Sequence, residues 1–224
     1  MRCGREGKAR SVTVLVVIES PAGELAGDLT VPGHPVGIVV FAHGSGSSRH
    51  SSRNRAVAEV LQRSGFATLL LDLLTEEEEE VDVRTRQLRF DIDLLAGRVT
   101  VAVEQIREHA AVRGLPVGLF GASTGAAAAL VAAAHDHSIR AVVSRGGRPD
   151  LAGDALRRVQ APTLLIVGSL DEQVLELNRQ ASLQLAVPSR IEVVPGATHL
   201  FEEPGALEEV ARLAAGWFRG HVAA

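Results

Sequence analysis

A serine hydroxyl is a poor nucleophile until a base takes its proton, and that base needs an acid to fix its tautomer and stabilise its charged form. Three residues of this chain have the right types for such a relay: Ser123, Asp171 and His199. Ser123 lies in Gly121-Ala122-Ser123-Thr124-Gly125, a G-x-S-x-G pentapeptide. A serine exposed at a sharp strand-to-helix turn needs small residues two positions away on each side, so that strand and helix can approach closely. Gly121 and Gly125 meet that need. Upstream, Pro116-Val117-Gly118-Leu119-Phe120 reads as a short buried strand, and residues 126–135 are rich in strong helix formers. In a chain with 22 glycines an ordinary small-residue turn would match five positions as well, so the flanking elements carry the reading.

The partners fall where strands should end. Residues 163–167 run into Gly168-Ser169-Leu170-Asp171-Glu172, and residues 190–194 run into Pro195-Gly196-Ala197-Thr198-His199. Asp171, with Glu172 as its alternative, is thus the orienting acid and His199 the general base. In parallel sheets functional groups gather beyond the carboxyl ends of strands, which lets all three converge on one edge. His43 also follows a strand-like run, opening His43-Gly44-Ser45-Gly46, and is read as holding that loop rather than moving protons. His34, His109, His135, His137 and His221 sit in turns, near helix ends or at the terminus and read as surface residues.

Acyl transfer also needs N–H donors aimed at the developing oxyanion. The amide after the nucleophile, on Thr124, is one candidate; the backbone of Ser45, with Gly44 as fallback, is the other. Two arginine-bearing segments, Ser144-Arg145-Gly146-Gly147-Arg148 and Arg49-His50-Ser51-Ser52-Arg53-Asn54, could supply guanidinium groups to a substrate carboxylate or phosphate. Arg148 and Arg49 are the substrate-binding candidates from these segments. The competing reading has them paired with Asp72, Asp150 or the glutamate run.

The elements that must position these groups follow from hydrophobic patterning. Residues 12–18 and 25–31 flank a Pro-Ala-Gly-Glu turn as an opening hairpin; 36–42, 67–72, 116–120, 139–144, 163–167 and 190–194 read as six further strands. Helical segments are expected at 53–64, 86–109, 123–135, 150–159, 174–186 and 204–221. Alternation of this kind predicts an α/β fold with a mostly parallel sheet of about eight strands. Glu76 to Glu80 are five adjacent carboxylates, which reads as a solvated loop. Residues 73–93 are the candidate for a short flap over the site.

Composition narrows the function classes. The 224 residues suit one domain at 11–224, preceded by a flexible tail at 1–10. Hydrophobic residues make up 46% and aromatics only 3%, so the core is built from aliphatic side chains and base stacking is disfavoured. The net charge of −4 offers no field for nucleic acid or anionic lipid. One cysteine, Cys3, gives no internal disulfide framework and suits the cytoplasm. The start is basic, but the apolar run at 12–18 is short and ends in a turn, so neither a signal peptide nor a membrane span is expected. No His/Cys/Asp cluster has metal-ligand spacing, and no cofactor is called for.

With the chain order Ser123, Asp171, His199, the sequence resembles an α/β-hydrolase, and within it the small, cap-less dienelactone-hydrolase-like branch. The resemblance spans nearly the whole chain and rests on His43-Gly44-Ser45-Gly46, the pentapeptide, the Asp171 loop and Gly196-Ala197-Thr198-His199. It implies an α/β-hydrolase fold without a large cap. Enzymes that hydrolyse dienelactone itself use cysteine as nucleophile, and Ser123 takes that place here. The resemblance therefore implies a carboxylesterase-like enzyme acting on a small-molecule ester, with no cofactor. A non-catalytic binding module of the same fold, or an acyltransferase or peptidase using the same three residues, are the alternatives.

Overall fold

Burial separates the strands into two kinds. In the computed structural model, which describes residues 11–223, β3 (Gly37–Ala42), β4 (Phe66–Leu71), β5 (Val117–Ala122), β6 (Ala141–Arg145) and β7 (Thr163–Gly168) are buried at every position. Continuous burial is what parallel strands covered on both faces require. By contrast, β1 (Val12–Ser20), β2 (Gly23–Val31) and β8 (Ser189–Val194) carry exposed positions, and β1 and β8 form the two edges. The tail at residues 1–10, with Cys3, lies outside the described residues.

The eight strands are ordered β1-β2-β4-β3-β5-β6-β7-β8. β1 and β2 pair antiparallel as the opening hairpin, β2 meets β4 antiparallel, and every pairing from β4 through β8 is parallel. The chain leaves β3 for β4 on one side and returns to β5 on the other. The carboxyl ends of β3 and β5 therefore flank a topological switch point, the place where open α/β sheets form ligand crevices. Ala42 pairs with Gly121 there, so the loop after β3 and the pentapeptide are neighbours.

Helices cover both faces. α1 (Ser52–Arg63) packs with α6 (Ala206–His221), burying Val57, Leu61 and Phe218 against Phe41 and Phe120, whose ring centroids are 4.8 Å apart. On the other face lie α3 (Ile92–Glu108) and α4 (Thr124–His135), with Val99 and Leu130 among the buried side chains. α4 is buried from Thr124 to Ala134, which explains its nearly all-apolar sequence. α5 (Glu172–Ser182) packs beside β7 and β8.

Three expectations are corrected. The glutamate run is not a loop: it begins α2 (Glu76–Thr85). Thr75 caps the Glu78 amide and Glu78 reaches back to the Thr75 amide, while Glu76 to Glu79 occupy the first turn, where the helix dipole favours negative charge. Next, the continuous helix expected over 86–109 is interrupted. Arg86 takes a left-handed conformation and residues 88–90 make a single 3-10 turn, because the Asp82 carboxylate accepts the Leu88 and Arg89 amides before Asp91 caps α3. Finally, Pro149–Arg158 is 3-10-like and broken at Gly153 (φ 51°) rather than a regular α-helix.

Candidate active site

Ser123 is held at φ 50°, ψ −120°, a sparsely populated conformation for a residue with a Cβ. Such geometry costs on the order of 1–3 kcal/mol and survives only when the surroundings impose it. Here the Ser123 amide donates to the Arg145 carbonyl, and the Ser123 carbonyl accepts from the Ala126 and Arg148 amides. A Cβ on Gly121 would lie 2.3 Å from Ala126 Cα, and one on Gly125 would lie 2.3 Å from the carbonyl oxygens of Ala42 and His43. Both glycines are thus required by direct contact between strand, turn and helix.

Asp171 stands at the N-cap of α5, but its side chain makes no capping bond. Its Oδ2 instead lies 2.6 Å from His199 Nδ1. The two loops are tied by backbone: the Leu170 amide donates to the Ala197 carbonyl, the Ser169 amide to Val194, and Ser169 Oγ accepts from the Gly196 amide. Gly168 has no room for a side chain, since a Cβ would meet the Ala197 oxygen at 2.3 Å. Buried Phe201, at φ 56°, and the Thr198 to Glu203 bond hold the other side of the histidine loop.

Ser123 and His199 line one cavity of about 210 Å³, together with Ser45, Ser51, Arg53 and Arg145. The loop after β3 runs against the serine: a Cβ on Gly44 would come within 3.1 Å of Ser123 Cβ. Among the described residues, neither the Ser45 nor the Thr124 amide has a protein acceptor, so both stay available beside Ser123. His43 is buried, accepts at Nε2 from the Leu73 amide and so donates from Nδ1 to the Gly44 carbonyl. Burial pushes its pKa below the ordinary histidine range, against the smaller raising effects of Gly44, Asp72 and Glu79. A neutral imidazole bonded at both nitrogens anchors the loop and has no free nitrogen for a substrate.

The model of the dienelactone hydrolase family matches residues 25–219. The chain belongs to that family. A dienelactone hydrolase from Anabaena variabilis is 55% identical, with a TM-score of 0.93 over 95% of this chain and 99% of that one. Est1E from Butyrivibrio proteoclasticus shares the fold at 17% identity and TM-score 0.77, covering 92% of this chain and 98% of that chain. A Mycobacterium tuberculosis protein provisionally named a phosphoribosyl transferase is 62% identical over 199 residues, 88% of this chain but 44% of that protein. The chain therefore spans less than half the length of that curated relative.

In this member of the dienelactone hydrolase family the two arginines expected to bind substrate, Arg148 and Arg49, both have carboxylate partners. Arg148 is held bidentately by Asp150, at 2.8 and 2.7 Å, and Arg49 is paired with Asp72 and Asp28. Neither is among the residues lining the Ser123 cavity; Arg145 and Arg53, from the same two segments, are. A local signal favoured this outcome, because Asp150 lies two residues from Arg148, whereas Arg145 closes a strand with no acid nearby in sequence. None of residues 73–93 lines the Ser123 cavity; Leu74, Thr75 and Glu79 are among those lining a neighbouring cavity of about 670 Å³, which shares Ser47 and Ser51 with the first. Among the described residues no cluster could hold a metal ion and no helix is long and apolar enough to cross a membrane.

Proposed function

We propose that this protein is a serine hydrolase that cleaves small carboxylic esters through an acyl-enzyme. Ser123 Oγ attacks the ester carbonyl while His199 Nε2 takes its proton, and Asp171 keeps Nδ1 of His199 protonated and stabilises the imidazolium. The amides of Thr124 and Ser45 receive the tetrahedral oxyanion. Collapse expels the alcohol, which leaves with the proton from His199, and a water activated by the same base then releases the acid. The observation that carries this reading is the 2.6 Å Asp171 to His199 contact, with His199 lining the same cavity as a serine in strained elbow geometry.

The small cavity favours short substrates, and a serine in place of cysteine favours esters over dienelactone itself. The family and the esterase neighbours support hydrolysis in general. The transferase name of the mycobacterial relative belongs to a protein of which the match covers 44%, and the proposal concerns the segment shared with it. Stopped-flow hydrolysis of 4-nitrophenyl acetate is the test. A burst of nitrophenolate equal to the enzyme concentration is expected from wild type and none from Ser123→Ala. A burst that persists in Ser123→Ala rejects the mechanism, and a wild type with no turnover favours a binding module.

A further inference from the structure

Two arginines are buried among the described residues, Arg98 and Arg145. Arg98 meets Glu78, as the half-buried Arg89 and Arg49 meet Asp82 and Asp72. Arg145, only 7% exposed, has Nε and Nη1 buried without a hydrogen-bond partner, and no carboxylate lies within 4.0 Å of it among the described residues. Its charged neighbour is a like charge, Arg53, whose own Nε is also buried and unpartnered while its Nη1 meets Glu202 at 3.1 Å. A buried cation without a counter-charge is costly, and the cost is removed when an anion arrives. Both arginines line the Ser123 cavity, where the described lining contains no acidic side chain. Arg145 is also fixed relative to the nucleophile, because its carbonyl accepts the Ser123 amide.

We propose that Arg145, assisted by Arg53, is the subsite for a small oxyanion carried by the substrate close to its scissile bond. The planar fork of a guanidinium fits a carboxylate or a phosphate, and Arg145 Nε and Nη1 have no acceptor from the protein. Burial lowers its pKa to about 10, so it remains charged at neutral pH. The cavity of about 210 Å³ restricts the substrate to a short chain between ester and anion. This inference rests on the hydrolase reading of Ser123 and names the substrate class of that site.

The test compares 4-nitrophenyl acetate with mono-4-nitrophenyl succinate for wild type, Arg145→Gln, Arg145→Lys and Arg53→Gln. Wild type should prefer the anionic ester in kcat/KM, and Arg145→Gln should lower that preference by about 10- to 100-fold, through KM, with Arg145→Lys regaining part of it. No preference in wild type, or equal losses on both esters in a folded Arg145→Gln, overturns the proposal. Should Arg145→Gln not fold, wild type decides: succinate or inorganic phosphate inhibits acetate hydrolysis competitively while succinamide does not, and the absence of such inhibition overturns it. Inhibition by succinate alone identifies a carboxylate, by phosphate alone a phosphoryl group. If wild type hydrolyses neither ester, the hydrolase reading fails separately. The anion site is then read from Tm: succinate or phosphate raises that of wild type and not that of Arg53→Gln, and an unmoved wild-type Tm overturns the subsite.

Discussion

Asp171 Oδ2 and His199 Nδ1 are 2.6 Å apart although 28 residues separate them and each follows a different strand. Adjacent parallel strands β7 and β8 end side by side, so the loops that follow them meet without any long excursion. The contact fixes the histidine tautomer that leaves Nε2 free to accept a proton. Replacing Asp171 by Asn should reduce kcat for 4-nitrophenyl acetate by about 10³- to 10⁴-fold with little change in Tm. A loss below tenfold would mean that another acid, Glu172 being the nearest in sequence, orients His199.

Glycines separate into those the site requires and those it does not. Gly125→Ala and Gly121→Ala place a Cβ 2.3 Å from backbone atoms and should destabilise by about 3 kcal/mol or abolish soluble expression. Gly97→Ala, in α3 with nothing within 4 Å of the added atom, should stabilise by about 0.5–1 kcal/mol. Urea unfolding of the three variants checks the contrast.

Asp82 has its side chain 1% exposed and accepts from the Leu88 and Arg89 amides and from the Arg89 guanidinium. Burial raises its pKa, but the bonds from Arg89 and Leu88 outweigh that and hold the carboxyl below its usual range. The stability it contributes is present above the ordinary carboxyl pKa and is lost as pH falls through the lowered folded value. Asp82→Ala should cost about 3–5 kcal/mol at pH 7, measured by urea unfolding, because it strands a guanidinium and two amides. The difference from wild type should narrow at acid pH.

His43 predicts a separate pH effect. Its folded pKa is depressed, so the unfolded chain binds the extra proton first, and stability falls as pH drops below the ordinary histidine value of about 6.5. The unfolding free energy of wild type should therefore decrease between pH 7.5 and 5.5, and His43→Asn should show a smaller decrease. An unchanged slope in the variant would place the protonation elsewhere.

All eight strands were legible from apolar runs because each is short and bounded by turn residues, and the pentapeptide stood out because both its glycines and its flanking elements agreed. α2 was not legible, since a run of glutamates looks solvated unless one sees that Thr75 and Glu78 cap it and that the charges sit at a helix start. Arg148 and Arg49 show the same limit. Both loops could be named, but which guanidinium is neutralised depends on partners such as Asp72, which meets Arg49 across 23 residues. Pairing of that kind is a property of the fold.

Ser123 is the proposed nucleophile. The most direct measurement is the intact mass of the protein after exposure to a fluorophosphonate, followed by peptide mapping. Wild type should gain one phosphonyl group on Ser123, Ser123→Ala none, and His199→Ala should label far more slowly. Stoichiometric labelling of Ser123→Ala, or a wild type modified at a residue other than Ser123, would contradict the account.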